Sequence, residues 1–253
     1  MTLCALIFDV DGTLADTERD GHRPAFNCAF REVGLSWVWD ETIYGELLKV
    51  TGGKERIRHY AERLDPACAA RPDFAALVQM LHRTKTRHYL ELVAAGGIPL
   101  RPGVARLIVE ARAAGVRLAI ATTTTAENVS ALLAASLAPD AASWFEVIAA
   151  GDIVPEKKPA PDIYRYALAR MGVAADASLA LEDTHLGLAS SLAAGIPTVV
   201  TVNDYSRGQD FRGALAVLSD LGEPERPARV LCGSPSATGV VDLAQLRLWH
   251  MAA

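Results

Sequence analysis

The sequence predicts an α/β protein: a doubly wound parallel sheet with an all-helical segment inserted after its first strand. Three features of the 253 residues point there. Leu3-Cys4-Ala5-Leu6-Ile7-Phe8 is an unbroken apolar run, the pattern of a strand buried on both faces. Helical periodicity alone then fills about eighty residues. From Pro99-Leu100-Arg101-Pro102-Gly103 onward, whose prolines mark a linker, short apolar runs take turns with helical ones. Strand and helix in alternation imply parallel crossovers and a sheet covered on both faces.

The elements follow in order. In the inserted segment, 22–33, 55–64 and 73–94 carry apolar residues at three- and four-residue intervals with charged faces between them. After the linker come a helix over 104–114, a strand over 116–121, a helix over 126–137 and a strand over 145–149. A helix over 162–171, a strand over 178–181, a helix over 186–194 and a strand over 198–202 complete the alternation. Beyond Asn203 the pattern weakens, with an edge strand expected over 228–232 and a short helix over 242–249. The expected domains are 1–16 with 97–253, and 17–96.

Composition narrows the function classes. A formal net charge of −5 and the lack of a Lys/Arg block argue against nucleic acid as a partner. No uninterrupted apolar run approaches the length that crosses a bilayer, and Asp9 falls where a signal peptide needs its apolar stretch. The expectation is a cytoplasmic monomer with no membrane partner. Cys4, Cys28, Cys68 and Cys232 show neither metal-ligand spacing nor a paired framework, so buried free thiols are expected.

Chemistry concentrates at the strand ends. Asp9-Val10-Asp11-Gly12-Thr13-Leu14 follows the first strand directly. Two carboxylates this close repel, by ~4 kcal/mol at ~4 Å and an effective dielectric of ~20. A hard divalent cation would hold them together and leave the first aspartate able to attack an electrophile; the plain alternative is an acidic turn. Thr122-Thr123-Thr124-Thr125 lies between a strand and a helix, where hydroxyls and amides make an anion site or one threonine merely caps the helix. Lys158 precedes Pro159-Ala160-Pro161-Asp162, a proline-led helix start. A lysine there is often only solvated, as is expected of its neighbour Lys157. Glu182-Asp183 ends another strand, and this second acidic pair suits a cation near Asp9 or, more simply, a helix cap.

These four stretches, in this order and with a helical insertion behind the first, resemble the haloacid dehalogenase superfamily of phosphohydrolases. The resemblance covers about the first two hundred residues. Asp9 through Thr13 match its Asp-x-Asp-Gly-Thr motif, Thr122 its strand-end Ser/Thr, Lys158 its lysine and Glu182-Asp183 its acidic pair. The dehalogenases that name the superfamily lack the second aspartate, so Asp11 points to phosphoryl transfer. Thr17 through Arg23, Ala25-Phe26-Asn27, Gly52 through Ile57 and Glu156 through Pro159 look like the CbbY group of sugar-phosphate phosphatases, with beta-phosphoglucomutase a near relative. The resemblance implies a Rossmann-like core with a helical cap that closes over the site.

The resemblance also implies a mechanism. Magnesium would be held by the Asp9 carboxylate, the Asp11 carbonyl and the Asp183 carboxylate, with Glu182 behind them or bound through water. Asp9 would attack phosphorus, Asp11 serve as general acid and then base, and Thr122 and Lys158 steady the phosphoryl oxygens. Glu18, His22, Gly52, Gly53, Lys54, Lys85, Thr123 and Thr124 would bind substrate, with Lys54 on a distal phosphate; Gly52-Gly53 is equally readable as a helix-breaking turn. The implied substrate is a small sugar phosphate, xylulose 1,5-bisphosphate in the CbbY group. A sugar phosphomutase is the enzyme alternative, and a non-catalytic binding protein on the same scaffold is the other.

Overall fold

A computed structural model describes residues 2–233 and 239–252. The chain forms two compact units, Thr17–Ile98 and Met1–Asp16 with Pro99–Ala253.

The Thr17–Ile98 unit is helical. A single π-helical turn, Glu18–His22, leads into α1 (Arg23–Glu32), followed by α2 (Glu41–Leu47), α3 (Gly53–Leu64), α4 (Pro66–Ala69) and α5 (Phe74–Ala94). The helix expected from residue 22 thus begins earlier, in a wider turn. That turn contains Gly21, where a Cβ would lie 2.5 Å from Ile98 and 2.8 Å from Tyr89. Phe26 and Phe30, one turn apart on α1, pack against Trp39, the first tilted and the second edge-on, with centroids 4.6 and 4.8 Å away. Asn27 fixes the Trp39 backbone from both sides, donating to its carbonyl at 2.8 Å and accepting from its amide at 2.7 Å. The short helix α2 was not expected, because Thr42, Ile43 and Gly45 blur its period and only Tyr44 and Leu47 are buried. Asp40 caps it through the Ile43 amide at 2.7 Å.

The second unit carries a seven-stranded sheet flanked by helices. Its strands are β1 (Ala5–Phe8), β2 (Arg117–Ala121), β3 (Val147–Ala149), β4 (Ser178–Glu182), β5 (Thr198–Thr201), β6 (Ala216–Leu218) and β7 (Val230–Gly233). They lie in the order β3-β2-β1-β4-β5-β6-β7. The first six pair in parallel, and β7 joins β6 antiparallel. The helices are α6 (Val104–Ala113), α7 (Ala126–Ser136), α8 (Asp162–Met171), α9 (His185–Ala193) and α10 (Leu243–Met251). On one face Ala5, Ala119, Ala121 and Ala180 present small side chains around Ile7, and Ile163, Tyr164 and Ala167 of α8 belong to the same cluster. Leu188 of α9 meets Val200, Val202 and Val217 in a separate cluster.

Several expectations need correction. The strand expected over 145–149 shrinks to Val147–Ala149, because a 3-10 turn over Ala141–Trp144 delivers the chain late. β6 was missed, since three residues are too few to show a period. The thiols are free, yet only Cys68 is buried. Cys4 precedes β1, and Cys232 lies on the edge strand β7. Lys157 is not simply solvated: it pairs with Asp152 at 3.0 Å. No helix among the described residues is long and apolar enough to cross a membrane.

Candidate active site

Strand order reverses at β1: β2 and β3 lie to one side, β4, β5 and β6 to the other. Open α/β sheets gather ligands beyond the carboxyl ends of strands at such a switch point. Asp9 leaves β1 there, its amide still donating to the Leu181 carbonyl of β4 at 3.0 Å. The chain then folds back on itself. Thr13 and Leu14 amides reach the Val10 carbonyl at 3.2 and 2.9 Å, and the Gly12 amide reaches Ala15 at 2.8 Å. Gly12 is required: its φ is +93°, and a Cβ would stand 2.2 Å from an Asp183 carboxylate oxygen.

Glu182 is the last residue of β4, and Asp183 follows it. The cap of α9 is Thr184, whose hydroxyl accepts from the Gly187 amide at 3.1 Å, so the acidic pair is not spent on capping. One carboxylate oxygen from each of Asp9, Glu182 and Asp183 lies within 4.8 Å of the others, and all three residues are buried. Lys158 enters the same cluster, donating to Asp9 Oδ1 at 2.6 Å and to Glu182 Oε1 at 2.5 Å. Glu182 is engaged further. Its Oε1 also accepts from the Tyr164 hydroxyl at 2.8 Å, and its Oε2 from the Asp183 amide at 3.1 Å. Gly187 makes room for it, since a Cβ there would fall 2.0 Å from the Glu182 carboxylate.

The electrostatics follow from burial and from three acids sharing one lysine. Burial pushes the Asp9 carboxyl from an ordinary 3.8 up to about 8, the Glu182 and Asp11 charges adding to the rise and Lys158 opposing it. Asp183 is likewise raised well above the usual range, by burial and then by Asp9 and Glu182, against Arg101 and Lys158. Burial works against the Lys158 ammonium, but Asp9 and Glu182 outweigh it and hold its pKa above the ordinary value. Fully ionised, the cluster would carry more negative charge than Lys158 compensates, so in the metal-free protein Asp9 and Asp183 tend to keep their protons. Its donors are hard oxygens, the set that suits magnesium, calcium or manganese.

Thr122 follows β2 and is buried, its hydroxyl accepting from the Thr124 amide at 3.3 Å. Thr124 accepts from Asn128 Nδ2 at 3.1 Å. The cap of α7 is Thr125, bonded to the Asn128 amide at 3.3 Å, which leaves the three preceding threonines free of that duty. Asp11 is half-buried, and its charge is felt at Asp9.

The remaining sequence-selected residues belong to the helical unit. Glu18 pairs with Arg56 at 3.1 Å and accepts from the Tyr44 hydroxyl at 2.5 Å. Lys85 is buried on α5, with Nζ 2.8 Å from His22 Nδ1 and over the rings of Phe26 and Tyr89 at 5.1 and 5.3 Å. Gly52, with φ +97°, turns the chain into α3, and Gly53 and Lys54 form that helix's first turn.

Sequence reasoning gave no role to four residues that build the site, Thr13 among them although it closes the Asp9–Thr13 motif. Tyr164 braces Glu182, and Thr13 donates to Asp183 Oδ1 at 3.3 Å. Asn203 donates to Asp183 Oδ2 at 2.6 Å. Arg101 is buried and gathers the Gly12 carbonyl, the Thr201 carbonyl at 3.0 Å, Val202 at 2.6 Å and Ser219 at 2.8 Å. Only Thr13 and Asn203 follow apolar runs, β1 and β5, that hinted at their neighbourhood.

The chain is similar to known proteins over most of its length. The family model described as Haloacid dehalogenase-like hydrolase matches residues 6–201. The plasmid protein CbbY of Cupriavidus necator is 52% identical over 246 residues, 97% of this chain and 96% of its own. A crystal structure of CbbY from Rhodobacter sphaeroides in complex with phosphate is 46% identical, with a TM-score of 0.79 over 87% of this chain and 95% of that one. A mutant of the same protein in complex with xylulose-(1,5)bisphosphate is 43% identical, with a TM-score of 0.80 over 96% and 100% of the two chains.

Proposed function

The chain belongs to the haloacid dehalogenase-like hydrolase family, and from that premise we propose that it is a magnesium-dependent sugar-phosphate phosphatase whose preferred substrate is xylulose 1,5-bisphosphate. The observation that carries the reading is the Asp9, Glu182, Asp183 and Lys158 cluster at the sheet's switch point. The substrate rests on the likeness to a CbbY structure in complex with that bisphosphate. Because phosphate esters resist attack through their own negative charge, the site must position and neutralise rather than invent new chemistry.

Asp9 is the nucleophile: its carboxylate attacks phosphorus in line and forms an aspartyl-phosphate. Lys158 withdraws negative charge from Asp9 Oδ1 and from the phosphoryl oxygens, and Glu182 with Tyr164 holds that lysine in place. Thr122 offers its hydroxyl to a phosphoryl oxygen. Asp11 protonates the departing sugar oxygen and, as a carboxylate, takes the proton of the water that then cleaves the acyl phosphate. Asp9 and Asp183, with the Asp11 carbonyl, would hold magnesium directly, and Glu182, whose Oε1 already accepts from both Lys158 and Tyr164, would act behind them. Magnesium supplies the positive charge that lets an anionic nucleophile approach an anionic ester.

By the resemblance, Glu18, His22, Gly52, Gly53, Lys54, Lys85, Thr123 and Thr124 would bind substrate, with Lys54 on a distal phosphate. The test is phosphate release from a panel of pentulose and hexose mono- and bisphosphates, with magnesium and after chelation. The expected outcome is magnesium-dependent release of one phosphate, fastest from xylulose 1,5-bisphosphate. Isomerised sugar phosphate without free phosphate would instead identify a mutase.

A further inference from the structure

We propose that Asn203 is a positioning residue that fixes the Asp183 carboxylate for cation binding; this rests on the magnesium reading above. Asn203 stands just beyond β5, on the neighbouring strand to the one that carries Asp183. Its Nδ2 donates to Asp183 Oδ2 at 2.6 Å, while Thr13 donates to the other oxygen at 3.3 Å. The amide cannot usefully turn over. Its Oδ1 accepts from the Tyr205 and Ser206 amides at 2.9 and 3.1 Å, and its own backbone amide donates to Ser206 Oγ at 3.0 Å. Reversing the side chain would set a donor against two donors and an acceptor against a carboxylate.

Gly12 belongs to the same device. A Cβ at that position would lie 2.2 Å from Asp183 Oδ2 and 2.4 Å from Asn203 Nδ2. The backbone that follows Asp11 therefore packs directly on the Asp183–Asn203 hydrogen bond, which ties the acidic pair of β4 to the loop of β1. A carboxylate held by an outer donor keeps one orientation, and loss of such partners typically weakens metal binding ~10- to 100-fold.

The experiment measures Mn²⁺ affinity of the full chain by electron paramagnetic resonance, without substrate, alongside thermal unfolding of the metal-free protein. Asn203→Ala should raise the dissociation constant roughly 10- to 100-fold. Asn203→Asp separates the two roles of the residue, since it keeps an oxygen for the Tyr205 and Ser206 amides but offers Asp183 an acceptor instead of a donor. The added charge beside Asp183 should lower the unfolding temperature of the metal-free protein, and the folded variant should still bind Mn²⁺ at least roughly tenfold more weakly. Binding by Asn203→Asp equal to or tighter than wild type overturns the proposal and reduces Asn203 to a loop residue. Failure of the wild type itself to bind Mn²⁺ overturns the magnesium reading.

Discussion

In the helical unit the Glu18 carboxylate meets the Arg56 guanidinium at 3.1 Å and the Tyr44 hydroxyl at 2.5 Å, and Arg56 in turn donates to the Val50 carbonyl at 3.0 Å and to Tyr44 at 3.1 Å. In the sheet unit three buried carboxylates crowd together, and Lys158 pairs with two of them, Asp9 and Glu182. The first arrangement is complete: one acid, one base and donors for the remaining lone pairs. The second is overcharged, and its acids are driven to unusual pKa values by burial and by one another. Both are polar networks inside a fold, but only the first is balanced in charge. Acids crowded together against their own repulsion mark a place where something else is to be bound.

The sharpest way to break this contrast is Asp9→Asn, which should abolish phosphate release while leaving the fold intact. Removing a charge from an overcharged cluster should also stabilise the metal-free protein above neutral pH. The sign follows from linkage: the folded carboxyl sits at about 8 and the unfolded one at 3.8, so the folded state holds the extra proton between those values. Stability from this group is complete below the unfolded value and is lost as pH rises toward and through about 8. Urea unfolding of the metal-free wild type should therefore weaken across that window, the variant should show less of the decline, and magnesium should restore the wild type. An activity near wild type would remove Asp9 from the chemistry.

Lys158→Met is the next largest change. It strips the buried cluster of its lysine, and an uncompensated buried charge costs about 3–5 kcal/mol. Urea denaturation should show a loss of that order in metal-free protein at neutral pH, reduced at lower pH where the carboxyls take up protons. A silent substitution would mean the acids are neutral without Lys158. In the helical unit, Arg56→Met should cost less, about 1.5–3 kcal/mol for a hydrogen bond to a charged group. Magnesium should not repair it, and that difference in response separates the two networks.

The parts legible in the sequence are those with local signals. β1, β4 and β5 are buried apolar runs, and Asp9, Glu182 and Asp183 sit directly at two of their ends. Lys158 lies beside a proline-led helix start, a signal for a helix rather than for a salt bridge, and only the motif order of the resemblance tied it to the acids. Arg101 shows why the rest stayed hidden. Its acceptors lie 89 to 118 residues away in sequence, so no window of the chain contains both ends of the contact. Asn203 is similar, twenty residues from its carboxylate, and β6 is too short to declare a period.

The smallest effect concerns substrate choice. Lys54 lies in the first turn of α3, behind Gly52, which enters the helix at φ +97° without a side-chain cap. The first-turn amides of such a helix and a neighbouring ammonium form an environment that favours an anion. A distal phosphate held by Lys54 would gain about 1.5–3 kcal/mol, the worth of a charge-assisted hydrogen bond. That amounts to roughly ten- to a hundredfold in kcat/KM at 1.4 kcal/mol per decade. Lys54→Ala should therefore lower kcat/KM for xylulose 1,5-bisphosphate by that factor, leave a pentulose monophosphate nearly unchanged and leave Mn²⁺ affinity untouched. Equal losses on both substrates would assign Lys54 to the folding of the helical unit instead of to the distal phosphate.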